Sequence, residues 1–129
     1  MRLALELPSR VSRLVLVATS GGLDLARFGG ADWRSDYQAL LPDVPPWFIA
    51  DRTDLTERLT GIQAPTLLLS GDADPTSPPS VGRFLARRIP GAQFVTVAGG
   101  THVFANERPD ETAAIIRRHL ASDGSSCHA

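Results

Sequence analysis

The sequence predicts an α/β fold: a small parallel sheet of about three strands with flanking helices and a short cap-like segment. Two observations carry that prediction. Three short apolar runs, Arg13 to Ala18, Thr66 to Ser70 and Gln93 to Ala98, are separated by amphipathic stretches that bear helix start and stop signals. Within the runs, residues such as Leu14, Val15, Leu16 and Val17 do not alternate with polar ones, so both faces of each strand should be covered and the strands should be interior. A length of 129 residues makes one ordinary domain with a single core. Residues 1–121 are read as that domain, 22–50 as its cap-like excursion and 122–129 as a polar, disordered tail.

Taken in order, the first strand gives way to a segment from Gly22 to Pro46 that is rich in Gly, Pro, Asp and aromatic residues. Its periodicity is weak, and Pro42, Pro45 and Pro46 exclude one continuous helix. A short helix is expected from Asp54 to Leu59, with Gly61 as its stop. After the second strand, a helix starting at Pro78 or Pro79 packs through Val81, Phe84, Leu85 and Ile89, and ends before Pro90-Gly91. The last helix opens on Pro109 with Asp110 and Glu111 at its positive end, and closes on Arg117, Arg118 and His119. Ala113, Ile116 and Leu120 are spaced to face the core, Ile115 widens that stripe, and His119 and His128 read as solvent-facing or tail-borne.

Composition narrows the function. Thirteen arginines stand against 14 acidic residues, there is no lysine, and the net charge is −1. No basic block offers a phosphate-binding footprint, so nucleic acid is not an expected partner. The lone Cys127 lies in the polar stretch Ser122 to Ala129, which rules out a disulfide framework or a cysteine metal site, and reads as an unstructured thiol. That usage fits a reducing cytoplasm, the expected location. The opening Met1-Arg2-Leu3-Ala4-Leu5-Glu6-Leu7 is too short and charged for a secretory or membrane segment, and no later apolar run nears the roughly 20 residues a span needs. No membrane association is expected.

The chemistry sits at strand ends. Gly71-Asp72-Ala73-Asp74 follows the second strand and Gly99-Gly100-Thr101-His102 the third, at the carboxyl ends where open α/β sheets bind ligands. A carboxylate there can fix the tautomer of an imidazole and stabilise its protonated form. Asp74 and His102 are therefore the candidate acid and base, whereas Asp72 reads as a turn-capping side chain. The first strand ends on Ala18-Thr19-Ser20-Gly21-Gly22, whose Ala-x-Ser-x-Gly spacing is similar to a nucleophile elbow. Five of the eight aromatic residues, Phe28, Trp33, Tyr37, Trp47 and Phe48, fall in the cap segment. They either line a pocket for an apolar acyl or aryl group or seal the cap on the sheet.

The run Ala64-Pro65-Thr66-Leu67-Leu68-Leu69-Ser70-Gly71-Asp72-Ala73-Asp74 resembles the penultimate core strand and catalytic-acid turn of the α/β-hydrolase superfamily. Gly100-Thr101-His102, followed by Asn106-Glu107-Arg108-Pro109-Asp110 and an amphipathic helix, is similar to its histidine loop and terminal helix. Leu5-Glu6-Leu7-Pro8-Ser9-Arg10-Val11 leading into Leu14-Val15-Leu16-Val17 resembles the end of the helix behind the nucleophile and the strand after it. The resemblance covers the C-terminal part of the fold and implies a partial α/β-hydrolase domain that hydrolyses ester or related acyl bonds. It assigns the acid to Asp74 and the base to His102, with no cofactor and no metal. It also puts Ser20 one strand too late to be the nucleophile, and Ala26 to Gly61 offers no further β run that would restore it.

No Gly-x-Ser-x-Gly and no upstream His-Gly stretch occurs, so the nucleophile and oxyanion elements are missing from this sequence and the chain alone is expected to be inactive. Met1 falls where the nucleophile helix would be continuing, as in a truncated chain, a split gene or a misplaced start. The first strand would then expose an unpaired edge, Leu14 to Val17, inviting self-association or complementation by a separate polypeptide. A small apolar ester-like molecule is the expected substrate once the site is completed. A non-catalytic interaction module using that edge is the alternative. A further reading rests on Asp72-Ala73-Asp74-Pro75-Thr76, which has the Asp-x-Asp-x-Thr form of haloacid-dehalogenase-like, Mg²⁺-dependent phosphatases. The lack of lysine, the missing later acidic pair and the intervening Ser70-Gly71 weigh against it.

Overall fold

The computed structural model describes residues 1–20 and 22–122; the expected tail from 123 onward, with Cys127 and His128, lies outside the described residues. The elements are α1 (Arg2–Glu6), β1 (Leu14–Val17), α2 (Arg34–Leu40), α3 (Pro46–Ala50), β2 (Thr66–Gly71), α4 (Pro79–Arg88), β3 (Gln93–Val97), α5 (Phe104–Glu107) and α6 (Pro109–Ala121). Short 3-10 helices occupy Pro8–Arg10, Leu25–Phe28 and Thr56–Gly61. The predicted short helix near residue 54 is the last of these. It begins two residues late because the Asp54 carboxylate accepts from the Thr56 amide at 2.9 Å and closes the preceding turn.

The sheet has three strands in the order β1-β2-β3. Both pairings are parallel, with Leu16 opposite Leu68 and Gly71 opposite Val97. Every residue of β2 is buried, as its unbroken apolar run requires. Successive side chains then feed opposite faces. Leu68 joins Leu16, Leu59, Ile62, Val81, Leu85 and Ile89 beneath α4. Leu67 and Leu69 join Val97 and Phe104, with Ile115 and Ile116 of α6 packed against them. Burying each of these leucines contributes about 2 kcal/mol.

The expectation of three interior strands holds for β2 alone. Among the described residues β1 and β3 are the two edges, and Gln93 and Thr96 of β3 are exposed. The β-branched and apolar runs that signal strands do not separate a central strand from an edge strand, because β1 and β3 also pack on both faces: Leu14, Leu16 and Phe94 on one, Val15, Val17, Val95 and Val97 on the other.

The stripe of α6 also differs from its expected one. Leu120 is 53% exposed and His119 only 5%. Thr112, Ile115, Ile116 and His119 form the inward line, spaced i, i+3, i+4 and i+7, which turns Leu120 outward. A polar residue is tolerated at Thr112 because its hydroxyl donates to the Arg108 carbonyl at 3.0 Å. His119 has no such compensation: among the described residues neither of its ring nitrogens has a hydrogen-bond partner. The helix end beside it is tied down. The Arg13 guanidinium bonds the Ser122 carbonyl, and the Ser122 hydroxyl donates to the His119 carbonyl at 2.8 Å. An apolar side chain of similar size removes the penalty of the unpaired nitrogens, so His119→Leu should raise the unfolding free energy by about 1 kcal/mol in urea titration.

Candidate active site

The site grows out of the β2 and β3 ends. Because Gly71 pairs with Val97, the chain leaving each strand turns beside the other. The Asp72 amide donates to the Val97 carbonyl at 3.2 Å, and the Ala73 amide to the Gly100 carbonyl at 3.0 Å. The backbones approach so closely that a methyl group on Gly71 would overlap the Gly100 carbonyl, and one on Gly100 would lie 2.9 Å from the Gly71 Cα. Gly99 adopts φ +66°, a left-handed turn that suits glycine. These glycines are thus required by contact and by backbone angle.

That approach brings the two candidate residues together. Asp74 is 3% exposed, and its Oδ1 accepts from the amides of Thr76 at 2.8 Å and Ser77 at 2.9 Å. Its Oδ2 lies 2.9 Å from His102 Nδ1. With an acceptor-only carboxylate on that side, Nδ1 carries the proton and donates it, which leaves Nε2 free to accept one. The carboxylate is wholly buried while the His102 side chain is 44% exposed, so the ring spans from the sheet to the open side. Its loop is braced by Thr101, whose hydroxyl donates to Glu107 Oε2 at 2.9 Å and accepts the Val103 amide at 3.2 Å.

His102 opens on a cavity of about 1080 Å³. Leu16, Leu23, Leu25 and Leu55 form its floor, and Trp33, Tyr37, Trp47 and Phe48 come from the cap. Trp33 meets Tyr37 edge-on at 5.6 Å and Phe48 at 5.7 Å, so α2 and α3 share one aromatic cluster. Arg34 reinforces it: the guanidinium lies 4.9 Å from the centre of the Trp33 ring and Nε donates to the Ile49 carbonyl at 3.2 Å. The cap aromatics divide between cavity lining and packing. Four line the cavity, whereas Phe28 turns away and packs on Phe84 at 5.0 Å, sealing the cap to α4.

Ser20 reaches the same cavity. Among the described residues no hydrogen bond joins its hydroxyl to His102, and its carbonyl accepts from the Leu23 amide at 3.1 Å as the chain turns into the cap. Ala18, at the end of β1, takes φ +45° while its amide continues the ladder to the Leu69 carbonyl at 2.9 Å.

The sequence reading overlooked the cavity rim at Asp51. Its Oδ1 accepts from the Thr53 hydroxyl at 2.6 Å and the Thr53 amide at 2.8 Å. Those bonds, the hydroxyl first, hold its carboxyl below the usual carboxylate range. Thr56 does the same for Asp54. The repeated Asp-x-Thr in Asp51-Arg52-Thr53 and Asp54-Leu55-Thr56 is the signal that would have found them.

The alpha/beta hydrolase family model matches residues 2–115. The chain belongs to the α/β-hydrolase family. Over 62 residues it is 44% identical to a poly(3-hydroxyalkanoate) depolymerase of Ectopseudomonas oleovorans, a match covering 48% of this chain and 22% of the depolymerase. Over 68 residues it is 32% identical to a pimeloyl-[acyl-carrier protein] methyl ester esterase of Neisseria meningitidis, covering 53% of this chain and 26% of the esterase. Among solved structures, a hydrolase from Pseudomonas aeruginosa superposes with a TM-score of 0.68 at 27% identity, over 94% of this chain and 60% of that one. A thermophilic esterase from Thermogutta terrifontis shares the fold, with a TM-score of 0.68 at 23% identity, over 91% of this chain and 58% of that one. The chain therefore spans about three-fifths of these solved hydrolases, and its matches to the curated relatives span about a quarter of their length.

Family membership overturns the phosphatase reading of Asp72 to Thr76, and the geometry gives the physical reason. Asp72 is occupied by the Gly99 amide, which donates to its Oδ1 at 2.5 Å, and Asp74 faces an imidazole. Asp72 does cap a turn as expected, but it is the turn after the neighbouring strand.

Two outcomes follow. Gly71→Ala should cost about 2 kcal/mol of stability in urea unfolding, because the methyl group meets backbone that cannot rotate aside. Thr53→Val should return the Asp51 titration, followed by carboxyl NMR shifts, upward toward the ordinary range. Since the folded value is depressed, the small stabilisation from this exposed group is present above the unfolded value and is lost as pH falls through the folded one.

Proposed function

We propose that this chain supplies the acid and base of an α/β-fold serine hydrolase acting on a small, apolar ester-like substrate. The observation that carries the reading is the 2.9 Å contact between the buried Asp74 carboxylate and His102 Nδ1. Asp74 orients the ring, and His102 Nε2 takes the proton of an attacking hydroxyl and returns it to the leaving group. Substrate class follows from the cavity. Aromatic and aliphatic side chains line much of its wall, and the charged groups that share the lining have partners: Arg34 and Arg52 both donate to the Ile49 carbonyl, Arg2 donates to Thr53, and Asp24, Asp51 and Asp54 accept from Ala26, Thr53 and Thr56. An uncharged acyl or aryl group fits that lining.

The nucleophile and the oxyanion donors come, in this proposal, from a polypeptide segment that docks on β1. Leu14–Val17 bonds to β2 on one side, and its other side is the sheet's edge among the described residues. A strand added there would stand beside the Ala18 to Ser20 turn, on the same cavity as His102. Self-association through that edge is the second form the same surface can take.

The chain alone should hydrolyse p-nitrophenyl butyrate no faster than its His102→Ala variant, both near the buffer rate, since several kcal/mol of oxyanion stabilisation are missing. Robust turnover that the variant abolishes, or fluorophosphonate labelling of Ser20, would contradict the assignment of the nucleophile to another segment.

A further inference from the structure

The peptide between Ala98 and Gly99 is gripped by charge at both poles. Its N–H donates to Asp72 Oδ1 at 2.5 Å, and its carbonyl accepts from Arg108 Nη2 at 2.8 Å. A peptide dipole is positive at the N–H and negative at the oxygen, so the anion and the cation each stand at the favourable end. Both contacts use one peptide plane. Rotating that plane breaks both at once, and with them the orientation that gives Gly99 its φ of +66°.

The two charges come from different parts of the fold. Asp72 follows β2 directly, its amide held by the Val97 carbonyl at 3.2 Å. Arg108 is the residue between α5 and α6; its amide donates to the Phe104 carbonyl at 2.8 Å and its Nη1 reaches Glu111 at 3.4 Å. The gripped peptide is thus fixed relative to both the acid-bearing turn and the helix that packs beneath the sheet. Three residues after Gly99 the chain delivers His102, and Gly100 between them is seated on Gly71. Neither Asp72 nor Arg108 lines the cavity, so neither is placed to touch substrate.

We propose that Asp72 and Arg108 are positioning residues for the acid and base pair: they clamp the Ala98–Gly99 peptide and so hold the His102 ring on Asp74. The inference rests on the reading of Asp74 and His102 given above and adds the device that keeps them in register. Both contacts are solvent-accessible, so the clamp acts on geometry more than on global stability.

The test uses the ¹⁵N-labelled chain, with hydrogen exchange at the Gly99 amide and imidazole ¹⁵N shifts of His102 followed from about pH 5 to 9. In Asp72→Ala, Gly99 exchange should quicken about tenfold. The His102 ring should lose its bias toward the Nδ1-protonated tautomer. Asp72→Asn retains an acceptor oxygen at the same position and should restore most of the tautomer bias with part of the protection, a rescue that general loosening would not give. Unchanged Gly99 exchange, or an unchanged ring tautomer, in Asp72→Ala overturns the proposal. Should Asp72→Ala prove poorly folded, the isosteric Asp72→Asn still decides it: a tautomer as scrambled as in Asp74→Asn overturns the clamp. Asp74→Asn separates the two readings. It should scramble the ring while leaving Gly99 protected, and ring shifts unmoved by it would refute the acid and base pair itself, with Gly99 exchange still reporting on the clamp.

Discussion

The site depends on one close approach of backbone to backbone. β2 and β3 end level with each other, and the turns beyond them touch at Gly71 and Gly100, where neither position has room for a side-chain carbon. Everything chemical follows from that contact. It carries the Asp74 carboxylate under the histidine loop and lets Asp72 reach across to the Gly99 amide. A parallel pair makes this natural, because both chains leave the sheet at the same end.

Asp74 shows how a buried charge is made tolerable. One oxygen takes two amides of its own turn and the other takes the imidazole, so little of its hydrogen-bonding capacity is wasted. The amides preorganise the acid within its own loop, which leaves His102 as the member free to reach outward. The cap is built differently. Its aromatic residues hold one another, with Arg34 tying α2 to the Ile49 carbonyl of α3, and hydrogen bonds from Thr53 and Thr56 hold the Asp51 and Asp54 carboxyls below the usual carboxylate range. The acidic and basic groups that line the cavity beside its aromatic and aliphatic residues are held by hydrogen bonds of their own.

Much of this was legible in the residues. Short apolar runs marked all three strands to within one residue at either end, and Pro78-Pro79, Pro109 and the glycines marked the turns and helix starts. The glycine-rich turns after β2 and β3 pointed to Asp74 and His102, and parallel pairing supplies the reason they meet. What was not legible depended on partners. Burial of His119 and exposure of Leu120 reverse the hydropathy of the two residues, because helix phase and tertiary packing decide which side faces the sheet. Gln93 and Thr96 could not announce an edge strand. The target of Asp72 lies 27 residues away, beyond any local turn rule. A short-range pattern likewise placed a helix at Asp54, where its carboxylate delays the start.

The claim on which this account stands is the seating of the His102 ring on Asp74 by the joined turns. A diffraction map sharp enough to orient the ring tests it most directly. The account predicts Nδ1 facing Asp74 Oδ2 near 2.9 Å, with the other carboxylate oxygen on the Thr76 and Ser77 amides. A ring rotated into solvent, with Asp74 bonded only to its own turn and the Gly71 and Gly100 backbones apart, would contradict it.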